Sequence, residues 1–342
     1  MPLLVALRAL GLGDLLTAVP ALRGLARAFP NHRRVLVAPR GLAPLLGLIR
    51  AEDGQPVVHE LRHADLLNPA TLARAKLPAA LGAHAPAPPR TPSLDVAVNL
   101  HGRGPESHRA LLGAQPRRLV AFAHPQVKEL RTGPRWRAEE HEVGRWCRML
   151  CESGIACNPA QLHIDPPAQS ELQRSMRGAT IIHPGASSAA RRWPAERWAA
   201  VAAAERIVGR RVLITGARTE ARLARRVARG AGLPPGAVLA GRTRVDELAG
   251  LVAVAGRVLC TDTGVGHLAT ALGTPSVLLF GPVSPAQWGP PAELERHVVL
   301  WAGSRGDPHA GSPDRGLLRL RVADVLDALE RLPAGARASA GS

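Results

Sequence analysis

Cys260 to Pro282, CTDTGVGHLATALGTPSVLLFGP, is the stretch whose reading decides the fold. It begins at the end of an apolar strand, Val258 to Cys260, and turns through Asp262, Thr263 and Gly264. It continues as a short helix, stops at Gly273-Thr274-Pro275 and leaves as a second apolar strand, Ser276 to Phe280. That order is a β-α-β unit, the building block of a parallel sheet. Within the helix Val265, Leu268, Ala269 and Leu272 fall at i, i+3, i+4 and i+7 and form the buried stripe, while His267 lies off it in the first turn.

The helix start gathers a hydroxyl, free backbone N–H groups and an imidazole. A helix N-terminus has unpaired donors and a partial positive charge, and Gly264 lets a ligand approach the backbone. Asp262, Thr263, Gly264, Gly266 and His267 are therefore candidates for holding a phosphate. A capped crossover helix with a surface histidine is the plain alternative, and the turn alone does not choose. HPGASSAARRWP, His183 to Pro194, is a second strand exit of the same kind, with Gly185, Ser187, Ser188, Arg191 and Arg192. Guanidinium forks bind phosphate oxygens at two points, so this turn suits a diphosphate, although a surface basic turn looks the same in sequence. Two such turns in one half of the chain favour the diphosphate.

Outward from these turns the second half alternates strand and helix: strands at Thr180 to His183, Arg211 to Thr215, Val238 to Ala240 and His297 to Leu300. Helices are expected at Ala195 to Val208, Glu220 to Arg229, Val245 to Ala255 and Val322 to Leu332. The first half alternates in the same way. Leu3 to Leu7 reads as a strand, LGLGD as a Gly-rich turn and Leu15 to Phe29 as a helix. Strands follow at Arg34 to Ala38, Val57 to Leu61, Leu94 to Leu100 and Arg118 to Phe122, with helices near Leu42 to Ile49, Pro69 to Leu81 and Ala138 to Cys151. His84 to Ser93 is a Pro-rich loop. The fold class is α/β, with residues 1–155 as the first Rossmann-like domain, 156–169 as a Pro-rich linker, 170–333 as the second domain and 334–342 as a disordered tail.

Asp14 stands at the start of the first helix, where an N-cap is the plain reading. A carboxylate at the end of the first strand is also where open parallel sheets place their ligands. Arg8 shares that strand end. After the strand at Leu94 to Leu100 the loop HGRGPESH collects His101, Arg103, Glu106 and His108, which read either as a solvated loop or as groups that meet an acceptor substrate.

Composition narrows the setting. The formal charge is +17, yet Lys occurs only at 76 and 128, so the charge is almost all Arg, spread along a chain without Tyr. Basic residues interleaved with stacking aromatics are not evident, so nucleic acid is not expected as a partner, and the charge is read as compositional bias with some attraction for anionic substrates. Cys147, Cys151, Cys157 and Cys260 show no CxxC pairing, which suggests neither zinc nor a disulfide framework and fits a reducing cytoplasm. The apolar N-terminus is interrupted by Arg8 and Asp14, and no membrane span is expected. The expected location is cytoplasmic, with peripheral contact at the anionic inner face of the cytoplasmic membrane left open.

Taken together, LGLGD with LLTAVPALRGLARAFP, the HPGASSAARRWPAERWAAVA block, the GRTRVDELAGLVAVAGRVLCTDTGVGHLATALGTPSVLLFGPVSPAQWGP block and the closing VADVLDALERL resemble the ADP-heptose:lipopolysaccharide heptosyltransferases, glycosyltransferase family 9. The resemblance runs from Leu3 to Leu332 and is strongest in the second half. It implies a GT-B architecture, two Rossmann-like domains facing across a cleft, with the nucleotide-sugar donor on the second domain and a glycan or glycolipid acceptor mainly on the first. It implies inverting transfer without a metal or other cofactor. Asp14 matches the family's proposed general base, and the Asp262-Thr263-Gly264 turn with His267 matches its donor site. Arg191 and Arg192 stand where the family usually has a basic pair beginning with Lys, and HGRGPESH replaces a commoner apolar segment. A nucleotide-sugar epimerase or hydrolase on the same fold, or a non-catalytic nucleotide-sugar binder, are the alternatives.

Overall fold

The computed structural model describes residues 1–63 and 94–333. The helix expected at Pro69 to Leu81, the Pro-rich loop from His84 and the tail from Ala334 lie outside the described residues. The chain divides into two compact units, Met1–Ile164 and the remainder from Asp165.

In the first unit β1 (Leu3–Leu7), β2 (Arg33–Ala38), β3 (Glu60–His63), β4 (Leu94–Asn99) and β5 (Arg118–Val120) form one parallel sheet in the order β3-β2-β1-β4-β5. LLVAL and VAV, Val96 to Val98, are unbroken apolar runs because helices cover both faces of such a sheet. Val5, Leu7, Val35, Val37 and Ala97 are all buried in one cluster. The strand order reverses between β1 and β4, where Leu7 pairs with Asn99. Loops leaving those two strand ends part to opposite faces, which opens a crevice at their carboxyl ends.

Several elements of this unit differ from the sequence reading. The expected helix Leu15 to Phe29 is two helices, Leu12–Thr17 and Val19–Ala28, broken at Ala18 with Pro20 in the first turn of the second. Proline lacks an N–H, so it is accommodated where a helix begins afresh. β3 starts at Glu60 rather than Val57, the helix after β2 shrinks to the turn Ala43–Leu46, and the helix expected from Ala138 starts at Glu142. HGRGPESH is only partly a loop, because Pro105–Leu112 is helical. The 3.6-residue period hid it: the buried face begins with Ser107 and His108 and reaches an apolar residue only at Leu111.

In the second unit β6 (Thr180–His183), β7 (Val212–Ile214), β8 (Arg257–Thr261), β9 (Ser276–Phe280) and β10 (His297–Trp301) form another parallel sheet, ordered β10-β9-β8-β6-β7. The strand expected at Val238 to Ala240 is a single parallel bridge from Val238 to Ile214. Here the order reverses between β6 and β8. Trp193 and Trp198, almost fully buried, pack edge to face at 4.9 Å in the core beneath this sheet. Short helices at Glu171–Ser175, Pro285–Trp288 and Arg315–Arg319 were not anticipated; Ser170, Ser284 and Asp314 cap their first turns.

The deciding stretch folds as read. The helix Gly264–Leu272 crosses from β8 to β9, both of them buried along their whole length. Gly273, at φ 71°, ends it in the left-handed conformation that glycine adopts at least cost. Gly266 lies on the sheet, where an added Cβ would come within 3.0 Å of Leu278, so a larger residue would lift the helix start away from the strands.

Candidate functional site

At the reversal point of the first sheet the backbone of β1 runs directly into Arg8, whose side chain is 1 % exposed. A buried guanidinium has to be paired and fully hydrogen-bonded. Arg8 Nε donates to the carbonyl of Asp14 at 3.0 Å, and Nη1 to the carbonyl of Leu100 just beyond β4. Its Nη2 reaches Asp14 Oδ1 at 3.2 Å and Glu142 Oε1 at 2.9 Å. The ring of Trp146 lies 4.7 Å below the guanidinium carbon. Glu142 also accepts from Trp146 Nε1 at 2.9 Å and pairs with Arg145. Burial alone would raise the Glu142 carboxyl, but Arg8 and Arg145, with the hydrogen bonds from Arg8 and Trp146, outweigh it and hold that carboxyl below the usual range.

Asp14 is the third residue of the helix Leu12–Thr17, not its N-cap, which is Gly11. Its Oδ2 accepts from the Gly11 N–H at 3.1 Å while Oδ1 faces Arg8. The side chain keeps 27 % exposure, whereas Glu142 has 4 %, so Asp14 is the carboxylate of this cluster that solvent or a substrate can reach. Glu142 escaped the sequence reading because it lies 134 positions from Arg8 and no local pattern connects them.

The other first-unit candidates sit at the same sheet edge and are used differently. Asn99, fully buried at the end of β4, donates to Ser107 Oγ at 2.8 Å and lies 2.6 Å from His108 Nδ1. His108 is itself fully buried, and burial, reinforced by the neighbouring His124, lowers its pKa to about 4. It therefore stands inside the fold as a neutral ring, not at the surface as expected of a group meeting an acceptor. His101 is anchored through its N–H to Asn99 Oδ1 at 2.9 Å. Arg103 is exposed and lies over the Trp136 ring at 5.9 Å, and Glu106 occupies the first turn of Pro105–Leu112, where a negative charge favours the helix dipole.

In the second unit the two turns picked out by sequence do come together. His183 at the end of β6 pairs with Cys260 of β8, so the chain leaves both strands side by side. Arg191 joins the turns: Nη1 approaches Asp262 Oδ2 at 3.5 Å and Nη2 bonds Ser187 Oγ. Its Nε is buried with no hydrogen-bond partner. Arg192 points elsewhere, with Nε and Nη2 both on the carbonyl of Ala186 at 3.0 and 2.8 Å, so it fastens its own turn. Ser188 likewise bonds the carbonyl of Pro308 at 2.6 Å. The expected basic pair is thus one arginine facing the turns and one securing the loop.

Thr263 is the N-cap residue of Gly264–Leu272, but its hydroxyl makes no capping bond to the helix. The buried hydroxyls of Thr261 and Thr263 find no oxygen or nitrogen partner. They line a small, open recess with Asp262, Gly266, His267 and Trp288. His267 meets Trp288 edge to face at 5.9 Å.

Glu220 was also missed. It follows β7, accepts from the Ala217 N–H at 2.8 Å and brings a carboxylate oxygen 3.8 Å from His183 Nε2. A Cβ on Gly185 would collide with that carboxylate, so the glycine of HPGAS is what admits it. Burial lowers the His183 pKa, only partly opposed by Glu220, and keeps the ring neutral. A carboxylate beyond the second strand of a Rossmann-like sheet is placed to accept ribose hydroxyls, but that offset from the glycine turn is too variable to read in one sequence. Among the described residues no group of three or more His, Cys, Asp or Glu side chains is arranged to hold a metal ion, and no helix is long and apolar enough to cross a membrane.

Two parallel α/β units, each with its polar residues at the reversal point of its own sheet, define the class of two-domain Rossmann-like proteins. The chain belongs to glycosyltransferase family 9 (heptosyltransferase), whose sequence profile matches residues 131–311. It is 30 % identical over 158 residues to lipopolysaccharide heptosyltransferase 3 of Escherichia coli; the match takes in 44 % of this chain and 46 % of that protein, about half its length. The fold resembles that of E. coli ADP-heptose lps heptosyltransferase II, with a TM-score of 0.70 at 20 % identity over 96 % of this chain and 97 % of the other. It also resembles the iron-containing dodecameric glycosyltransferase TibC from enterotoxigenic E. coli, with a TM-score of 0.56 at 15 % identity over 96 % and 75 % of the two chains.

Proposed function

We propose that this protein transfers a sugar, a heptose or a close relative, from a nucleoside-diphosphate donor to a hydroxyl of a glycan or glycolipid, with inversion and without a metal. The observation that carries the proposal is Arg191, which spans the Ser187 and Asp262 turns beside the N-terminus of Gly264–Leu272. A diphosphate at that helix start would meet a guanidinium and first-turn N–H groups, with Asp262 holding the arginine in place. Glu220 would accept the ribose hydroxyls, and His267 and Thr263 would line the sugar side.

Asp14 takes the acceptor proton as the acceptor oxygen forms its bond to the anomeric carbon. The bond to the diphosphate breaks on the opposite face, which inverts the configuration. Arg191 and the helix N-terminus stabilise the charge that grows on the departing diphosphate. Because fixed positive groups are present for that charge, the reading needs no metal. Membership of family 9 and the likeness to a heptosyltransferase acting on lipopolysaccharide support a heptose donor and a cell-envelope acceptor.

The test supplies ADP-heptose with a truncated lipopolysaccharide core, in excess EDTA, and follows ADP release and acceptor mass. The expected result is an acceptor heavier by one heptose and ADP release that depends on acceptor. ADP release to water regardless of acceptor would point to a hydrolase, and activity lost to EDTA and restored by a divalent cation would withdraw the metal-independent mechanism.

A further inference from the structure

Three of the four cysteines gather at one place in the first unit. Cys147 is 4 % exposed on the inner face of the helix Glu142–Glu152, Cys151 is exposed one turn further on, and half-buried Cys157 follows the helix. The Sγ atoms of Cys147 and Cys157 are hydrogen-bonded at 2.7 Å, and Cys157 Sγ lies 3.3 Å from the carbonyl of Pro20. Cys151 Sγ lies 3.9 Å from the carbonyl of Cys157. The segment bearing Cys157 is strapped across the helix Val19–Ala28, where Arg27 donates to the carbonyl of Ala156 at 3.2 Å. A Cβ on Gly24 would come within 2.9 Å of that carbonyl, so this glycine lets the strap lie against the helix.

We propose that Cys147 and Cys157 form a reversible dithiol–disulfide site, oxidised by exchange with a small disulfide such as oxidised glutathione. Neither thiol belongs to the sugar-transfer machinery, and the two are already in contact without a covalent bond. Their roles are unequal. Cys157 is reachable from solvent, and the hydrogen bond with Cys147 lowers its pKa, opposed by burial and aided by Arg27. The same hydrogen bond and burial push the Cys147 thiol up. Cys157 is accordingly the attacking thiolate and Cys147 the resolving thiol.

In the first step Cys157 thiolate attacks one sulfur of the small disulfide, forming a mixed disulfide and expelling one glutathione thiolate. In the second, Cys147 gives up its proton and attacks Cys157 Sγ, expelling the other glutathione as a thiol. The protein loses two electrons and two protons, and the small disulfide gains them as two thiols. The cross-link fastens the strap to the helix that carries Glu142.

The experiment incubates the full-length protein with oxidised glutathione, alkylates free thiols and maps peptides by mass after cleavage at Arg148, which separates Cys147 from Cys151 and Cys157. The expected product is a Cys147–Cys157 cross-link lighter by two hydrogens, reversed by dithiothreitol, retained in Cys151→Ser and absent from Cys157→Ser. The melting temperature of the oxidised protein should lie above that of the reduced protein by roughly 5 °C, because a cross-link restricts the unfolded chain. Glutathione remaining on Cys157 without a cross-link would overturn the proposal, and so would a cross-link formed through Cys151. Mapping the unsubstituted protein decides the matter even where a variant fails to fold.

Discussion

Arg8 and Glu142, 134 positions apart, meet in a 2.9 Å ion pair whose side chains are 1 % and 4 % exposed. The pair lies beneath Asp14, and Trp146 and Arg145 complete its hydrogen bonding. Removing one partner of such a pair leaves buried charge uncompensated, at a cost of about 3–5 kcal/mol. Glu142→Gln keeps the shape but not the charge, so calorimetry should show its melting temperature lowered by roughly 10 °C. An unchanged melting temperature would mean that Arg8 is neutralised by Asp14 alone.

Asp14 presents a carboxylate that is tethered on one oxygen by Gly11 and on the other by Arg8, yet remains partly exposed. Asp14→Asn keeps the size and one acceptor oxygen, enough for one of these two donors, but cannot take a proton. Turnover should fall by about 10²–10⁴-fold, while the Kd for the nucleoside diphosphate stays within a factor of about two. Near-normal turnover would make Asp14 a helix-start residue and nothing more.

Arg191 and Arg192 are adjacent in sequence and opposite in task. Arg191→Ala should weaken nucleoside-diphosphate binding by roughly 1–3 kcal/mol, measured by titration calorimetry, through loss of charge-assisted hydrogen bonds. Arg192→Ala removes two bonds to the Ala186 carbonyl and should lower the melting temperature more than the affinity. Equal loss of affinity in both variants would contradict the division.

His108 in the first unit and His297 in the second are each lowered by burial to a pKa of about 4, from an ordinary 6.5. Both stay neutral in the folded protein while the unfolded chain takes up protons below about pH 6.5. Their stabilisation is therefore complete above pH 6.5 and lost as pH falls toward 4, on the order of 3 kcal/mol each at the limit. The check is the slope of melting temperature against pH across that window, which should flatten in His297→Gln. A slope unaltered by that substitution would remove His297 from the account.

Much of the architecture was legible in the sequence, since parallel strands covered on both faces read as apolar runs and several were followed by a turn and an amphipathic stripe. The deciding stretch from Cys260 to Pro282 gave its strand, helix and strand correctly, because the pattern is local and Gly273 marks its end. The helix Pro105–Leu112 was invisible because its inner face begins with Ser107 and His108, satisfied by Asn99 from β4, and turns apolar only at Leu111. Local sequence also carried the two turns of the second unit and the acidic residue after β1. Tertiary structure alone decided that Arg191 faces the turns and Arg192 does not, that His108 is sealed inside, and that Glu142, Glu220 and the Cys147–Cys157 contact exist. Periodicity records which face of an element is buried, but the partner of a buried charge or thiol is fixed by sheet order and helix packing, which bring residues together across stretches that share no repeat.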